Sequence, residues 1–506
     1  IYLLIGSLCG SSQISVSSLI AIGRRTAPKR FPCIFLPDFP SVEKTIPYVT
    51  MDTSPKCNLE CSRSCFETIS ILPCENNPIE GFVLAKWDHI VGPRPLYLWK
   101  QKKRVDPPSG TKPKTSSKRI KTPGDDKPFC LLSALNYAVG HSLVAGTYIS
   151  DDSLLEGLIQ DKFFVVEDAN LLCSAVIFHI PGVGPSEGFS LSLLASYSSY
   201  SRVIKLIHFC GKWLKRIAAK LRIYLLKAGG DDAIDVIGNQ LISLCRAVIK
   251  LQTNPLIKGP LDDCMSVIAE TEFFEFVLTS HLQTCGHTVV VGKNISAVNT
   301  MLNLLSRFMT NDDLFLSHYA PANTYTPGFS LQGVSSVDGI KAISALDLLS
   351  AQYPTTIVDL DHVRVRQGLP IHAHQRARNE TLLYELYSLW KGVPPAFRVM
   401  ESILLPTTQR SAWIGKLVKD LLKMPVSHWD HVIILFMRQL LYKSSSLVEC
   451  VKAAVKNCAA TDKKNLMKQA RSLLQVDEVD LRILLAFGEK FNPGIFGTVY
   501  NGVDWK

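Results

Sequence analysis

RVIKLIHFCGKWLKRIAAKLRIYLLKAGG, residues 202–230, places apolar residues at 203, 206, 207, 210, 213, 214, 217, 218, 221, 225 and 226. That spacing falls on one face of an α-helix. Lys and Arg fill much of the other face, and Gly229-Gly230 end the pattern. The chain before it, from residue 79, follows a different period. IEGFVLAKWDHIVGPRPLYLWK (79–100) reads as a strand, a turn at Gly92-Pro93 and a second short strand. KPFCLLSALNYAVG (127–140), DKFFVVEDANLLCSAVIFHI (161–180) and GFSLSLLASY (188–197) supply further strands, with DAN (168–170) as a turn. A series of strands followed by one long, one-sided helix constrains the fold strongly. It predicts an antiparallel sheet with the helix packed on it and the basic face in solvent, spanning 79–228.

The second region, 229–506, starts with the helical patterns DDAIDVIGNQLISLCRAVIK and MSVIAETEFFEFVLTSHLQTCG, runs into the strand TVVVG, and returns to helix in SAVNTMLNLLSRFM. AQYPTTIVDLD adds a strand led in by Pro354. NETLLYELYSLW, SAWIGKLVKDLLKM, SHWDHVIILFMRQLLYK, SLVECVKAAVKNCA and EVDLRILLAFGEK are all helix-like, so an α/β part (229–375) gives way to a helical part (376–506). The fold class is therefore α/β (α+β). No repeat of solenoid period is present. Residues 1–78 stay unassigned: their apolar patches are broken by Ser and Gly, none reaches the roughly 18 residues of a spanning helix, and the first methionine is Met51. We expect this stretch to be disordered or an extension of the gene model.

The net charge of +11 invites a nucleic-acid reading until its location is considered. Residues 100–127 carry ten Lys or Arg against three Asp, which is +7 of that charge, in a stretch rich in Pro, Ser, Thr and Gly. Such a composition cannot repay the entropy of ordering and predicts a mobile, solvated loop. A weak contact with an anionic membrane through this loop is left open. No zinc-finger spacing or RNA-binding signature accompanies it, so no nucleic-acid partner is expected. Of the fourteen cysteines, only Cys57, Cys61, Cys65 and Cys74 cluster, at spacings that match no zinc knuckle or iron–sulfur run. The others sit in apolar surroundings such as ANLLCSAVIF, as suits a reducing compartment.

Three stretches invite chemistry. In GHTVVVGKN a strand ends in Gly-Lys, as a phosphate loop might begin. A P-loop needs four residues between its glycines and Ser or Thr after the lysine. Here five residues separate Gly286 from Gly292, three of them valine, and Asn294 follows Lys293. The spacing instead predicts that Gly286 ends a helix, Val289–Val291 form a buried strand and Gly292 turns into the next helix. In PIHAHQ, His372 and His374 would share a face on a strand, with Asp359, Asp361 and His362 upstream. No Glu stands at HExxH spacing, and histidines in such a Pro- and Gly-rich connection are expected to be solvated. Third, Arg94 in the GPR turn could be presented to a γ-phosphate, but reads better as a residue that fixes the turn or meets a partner. No G-x-S-x-G elbow, kinase signature or dinucleotide fingerprint occurs. No catalytic, cofactor-binding or metal-binding residue is assigned.

AKWDHIVGPRPLYLW, DKFFVVEDANLLCSAVIF, FVLTSHLQTCGHTVVVG and AQYPTTIVDLD, in that order, resemble the longin–DENN family of the chromosome nine open reading frame linked to amyotrophic lateral sclerosis and frontotemporal dementia. The resemblance covers about 79–506, and residues 100–127 depart from it in composition. It implies a longin-like antiparallel sheet with packed helices, followed by a DENN domain. It also implies a regulatory subunit acting on small GTPases of Rab or Arf type in autophagy and endosome–lysosome traffic. The partners implied are a second longin–DENN protein and a WD-repeat propeller, and the setting is the cytoplasm with endosomal, lysosomal and autophagosomal association. Family members are described both as guanine-nucleotide exchange factors and as parts of a GTPase-activating complex whose finger arginine lies on the partner chain, so no catalytic residue carries over. The alternatives are a stand-alone Rab exchange factor, and a peripheral membrane or nucleic-acid protein using residues 100–127.

Overall fold

The computed structural model describes residues 66–102, 130–144, 159–182, 184–227, 231–319, 324–335, 343–393, 403–407, 409–457, 471–472 and 474–500. Residues 57, 61 and 65 of the cysteine cluster, most of the basic stretch 100–127, and Gly229-Gly230 lie outside them. The described residues belong to one compact unit built on two sheets.

The first sheet has six strands: β1 (Glu67–Leu72), β2 (Ile79–Asp88), β3 (Gly92–Gln101), β4 (Gln160–Val166), β5 (Leu171–Gly182) and β6 (Gly184–Ser196). Their order is β1-β3-β2-β6-β5-β4, antiparallel throughout except that β1 runs parallel to β3. Side chains alternate between faces along a strand, and both faces are covered. Val83, Ala85, Leu98, Cys173 and Leu194 pack under helix α1 (Leu131–Val144). Phe82, Leu84, Trp99, Val176 and Leu193 pack under α2 (Ile207–Leu226) and α3 (Asp231–Thr253). This double cover explains why Phe82–Ala85 is a continuous buried run and not an alternating one.

The predicted sheet and the one-sided helix are present, the helix as α2 over Ile207–Leu226, with four differences. The basic face of α2 is not all in solvent, because Arg216 and Lys220, 30% and 13% exposed, lie against Glu385. KPFCLLSALNYAVG is a helix and not a strand: Ala134, Leu135, Ala138, Val139 and Leu143 recur at helical spacing and are the buried set. The hairpin turn is His89–Val91; Gly92 and Pro93 already open β3, which is ten residues long. Residues 67–72, left unassigned from sequence, form β1 on the sheet edge. Helix α3 packs in the first sheet's core through Ile237, Leu241, Leu244 and Val248. It approaches closely at Gly238, where a Cβ would stand 2.9 Å from Ile71 Cδ1.

The second sheet has the order β11-β10-β9-β7-β8. Its strands are β7 (Thr288–Val291), β8 (Leu331–Val334), β9 (Thr356–Asp359), β10 (Arg364–Gly368) and β11 (Leu404–Pro406). β7 lies parallel to both β8 and β9, and β10 and β11 continue antiparallel. Helices α4 (Thr271–Gln283) and α5 (Ile295–Ser306) cover one face, where Leu278, Leu282, Val298 and Leu302 meet Val290 and Val358. Helices α6 (Ala345–Ser350) and α7 (Ile371–Lys391) take the other, where Leu348, Leu349 and Ala377 meet Val289, Val291 and Ile357. A central strand covered on both faces has to be apolar at every position, as TVVV nearly is.

The remainder is helical, as expected: α8 (Ala412–Leu422), α9 (Trp429–Asn457), α10 (Glu478–Phe491) and α11 (Ile495–Tyr500). The two patterns read separately over 427–443 and 446–459 fuse into the single helix α9. Helix α7 ties the two sheets together, because Leu382 and Leu386 enter the first sheet's core while Ala377 serves the second. Among the described residues, no helix is long and apolar enough to cross a membrane.

Candidate functional site

The β2–β3 hairpin pairs from Gly81↔Lys100 to Asp88↔Gly92 and leaves three residues, His89, Ile90 and Val91, to cross between strands. Asp88 Oδ1 accepts the backbone N–H groups of Ile90 at 2.9 Å and Val91 at 3.1 Å. Those two bonds, Ile90's first, with Arg94 and Lys86 adding to them, hold the Asp88 carboxyl below the usual carboxylate range although desolvation opposes them. Gly92 closes the turn at φ +89°, a conformation costly for any residue with a Cβ. The turn is thus fixed by its own backbone, and it displays Ile90 at 95% and Val91 at 75% exposure. Two apolar side chains held in solvent on an ordered tip cost hydration and bury nothing in the described chain, which is how a contact residue behaves. Arg94 is exposed on β3 opposite Lys86, two rungs below the Asp88–Gly92 pair, so two cations stand behind the tip. The arginine flanks the tip and is not at its end.

Sequence reasoning missed Ile90 and Val91. The available signal was the apolar pair inside a polar turn, Asp-His-Ile-Val-Gly, where turn chemistry alone asks for Asn, Asp, Ser or Gly.

At GHTVVVGKN the predicted roles hold. Helix α4 ends at Gln283, Cys285 and Gly286 take φ +59° and +84°, and the Gly286 N–H returns to the His281 carbonyl at 2.9 Å. The four residues of β7 are buried inside the sheet, between β9 and β8. Past Gly292, the donors a phosphate would need already have acceptors. The Lys293 N–H points at the Asp361 carboxylate, 3.2 Å from each oxygen, and Asn294 Oδ1 accepts from Ser296 and Ala297 as the N-cap of α5. Replacing that cap, Asn294→Ala, is expected to cost about 1 kcal/mol, read as a lower urea midpoint with an unchanged slope.

The same motif builds a buried polar cluster. Ser280 and Thr284 hydroxyls meet Thr356 Oγ1 at 2.7 and 2.9 Å, and His281 Nδ1 meets Thr288 Oγ1 at 2.8 Å. These five residues are fully buried. Burial, with the Lys490 ammonium nearby, pushes His281 down to about 3 and His287 to about 4, so both imidazoles stay neutral at physiological pH.

The histidines expected in solvent are not there. PIHAHQ starts helix α7; His374 is buried with Nε2 3.1 Å from the Ala351 carbonyl, and His372 is half-buried. The acceptor opposite Nε2 requires the proton on that nitrogen, which removes it as a metal ligand. Asp359 binds the His362 backbone N–H and ring within one turn, while Asp361 serves Lys293, so these groups do not converge. Among the described residues, no three His, Cys, Asp or Glu side chains are placed to share a metal.

The model of the C9orf72-like protein family matches residues 142–374, from the end of α1 to the first turn of α7. Over those residues the chain is similar to the C9orf72-like family. The guanine nucleotide exchange factor C9orf72 of Homo sapiens is 22% identical over 480 residues, spanning 84% of this chain and 92% of the relative. The C9orf72 homologue of Rattus norvegicus is 22% identical over 478 residues, with the same coverage. At 84% of the chain, the similarity to these relatives extends beyond the residues that the family model matches.

Proposed function

We propose that this C9orf72-like chain regulates a small GTPase by surface contact, as one subunit of a longin–DENN assembly, and that the β2–β3 tip is part of the contact. The observation that carries the reading is the pinned turn that holds Ile90 and Val91 in solvent. The naming of its relatives as guanine nucleotide exchange factors supports the choice of a GTPase as the target. In this reading Arg94 grips the partner and does not stabilise a transition state. A second longin–DENN protein and a WD-repeat propeller complete the assembly, which works in the cytoplasm on endosomal, lysosomal and autophagosomal membranes. A second reading is a stand-alone exchange factor for a Rab protein, to which the relatives' names lend the exchange activity alone.

Release of a fluorescent guanine nucleotide from a panel of Rab and Arf proteins tests both. Ile90→Asp with Val91→Asp is expected to slow stimulated release at least about tenfold, the scale of losing a hot-spot contact. Thermal unfolding should not change, because neither side chain is packed. Stimulation by the purified chain alone favours the stand-alone factor; stimulation only with the second longin–DENN protein present favours the subunit. Full activity of the double variant would remove the tip from the contact.

A further inference from the structure

Helices α8 and α9 form an antiparallel pair whose inner faces are core: Ile414, Leu417, Val418 and Leu421 on one, Trp429, Ile433, Leu440 and Leu447 on the other. Their connection is rigid. The buried Trp429 indole N–H donates to the Leu421 carbonyl at 2.9 Å and the Met424 carbonyl at 3.3 Å, and the Met424 N–H returns to Leu421 at 3.0 Å. The outer faces carry what this packing leaves over. Lys416, Lys419 and Lys423 recur at i, i+3 and i+7 along the exposed side of α8. Leu422 and Met424 at the connection are 37% and 41% exposed, and Ile434 and Leu435 on the outer side of α9 are 49% and 51% exposed. Arg438 lies one turn beyond Ile434 and Leu435 on the same side.

Charge decides what such a surface fits. Over residues 411–445 the cations are Lys416, Lys419, Lys423, Arg438 and Lys443, against two carboxylates, Asp420 and Asp430, the second of which is paired with Arg307. A protein–protein interface is depleted in lysine at its centre. Flexible ammonium groups around a few protruding aliphatic side chains instead suit an anionic bilayer, where the lysines meet headgroups and the apolar tips reach the acyl boundary.

We propose that the α8–α9 hairpin is a peripheral docking surface for an anionic lipid bilayer, with Leu422, Met424, Ile434 and Leu435 entering the interface and Lys416, Lys419 and Lys423 holding the headgroups. It goes beyond the GTPase reading and stands apart from it, so vesicle binding and nucleotide release can fail independently.

Cosedimentation of the full chain with phosphatidylcholine vesicles, with and without about 30% phosphatidylserine, at about 0.1 M salt, tests it. The chain should sediment only with the anionic vesicles. Lys416→Glu, Lys419→Glu and Lys423→Glu together should raise the lipid concentration for half-binding at least about tenfold. Leu422→Ser, Met424→Ser, Ile434→Ser and Leu435→Ser together should do the same while leaving the thermal midpoint in place, since these side chains are already half in water. Replacing Lys112, Lys114, Lys118 and Lys121 by Ala should leave binding intact. The proposal is overturned if the wild-type chain ignores anionic vesicles, or if the basic-stretch variant alone loses them. It is equally overturned if the hairpin variants bind lipid normally and lose a copurifying protein instead.

Discussion

Lowering the pH from 7 to 5 is expected to remove about 2 kcal/mol of folding stability through His281 alone. The unfolded chain binds a proton on this imidazole near its ordinary value of 6.5, whereas in the folded chain burial, reinforced by the Lys490 ammonium, delays binding until about pH 3. Below 6.5 the unfolded state therefore holds more protons, and stability falls with pH until the folded group titrates as well. The effect at pH 5 depends only on the folded value lying well below 5. His287, pushed down to about 4 by the same burial, adds a loss of the same sign. Asp480 works against them. Its carboxyl is raised to about 6, chiefly by burial, so the folded state gains a proton first and stability increases as pH drops below 6.

The wild-type profile is the sum of these opposing groups, so the test is a difference. His281→Asn keeps a polar atom near the Thr288 hydroxyl and removes the titration. Urea midpoints at pH 7, 6 and 5 should fall less steeply for this variant, by about 2 kcal/mol across the range. Parallel profiles for variant and wild type would mean that His281 is not held neutral by the fold.

The same residues show what could be read from sequence. TVVVG was legible because a strand covered on both faces has one solution, apolar at every position, and flanking glycines mark its ends. Helix α2 was legible because eleven apolar positions share one face over seven turns or so of pattern, more than a strand could imitate. Helix α1 was misread because LLSALNYAVG is apolar enough to pass as a strand, and only the recurrence of Ala134-Leu135, Ala138-Val139 and Leu143 distinguishes it. β1 left no trace, because ETISIL earns its place by parallel pairing with β3, a residue set some thirty positions away that local pattern does not report. The hairpin itself was legible. Its tip was not, because the apolar pair Ile90-Val91 obeys no folding rule, and what breaks a folding rule without strain in the fold is where contact with another molecule is to be sought.

A second large effect is expected where the two sheets meet. Glu385 on α7 bonds Arg216 Nη2 at 2.9 Å and Lys220 Nζ at 2.6 Å, both on α2. The three side chains keep 12%, 30% and 13% of their exposure, so water screens the pair only in part. Burial alone would raise the Glu385 carboxyl, but Arg216 and Lys220 outweigh it and hold it below the ordinary value. Glu385→Gln keeps the shape and removes the charge, leaving two half-buried cations facing each other. Breaking a fully buried pair costs about 3–5 kcal/mol; with the arginine partly wet, about 2–3 kcal/mol is expected here. Leu382, one turn before, and Leu386, the next residue, enter the first sheet's core, so the loss should appear as faster amide exchange along α7 and α2 before it appears elsewhere. The pH signature separates this effect from that of the histidines. A depressed carboxylate contributes its stability above the unfolded value near 4.5 and loses it only as pH falls through the lower folded value, so the Glu385 contribution is intact over the range from 7 to 5 where His281 acts. An Arg216→Ala, Glu385→Ala double-mutant cycle that returned no coupling, with amide exchange on α7 unchanged, would show that the apolar contacts alone join the two sheets.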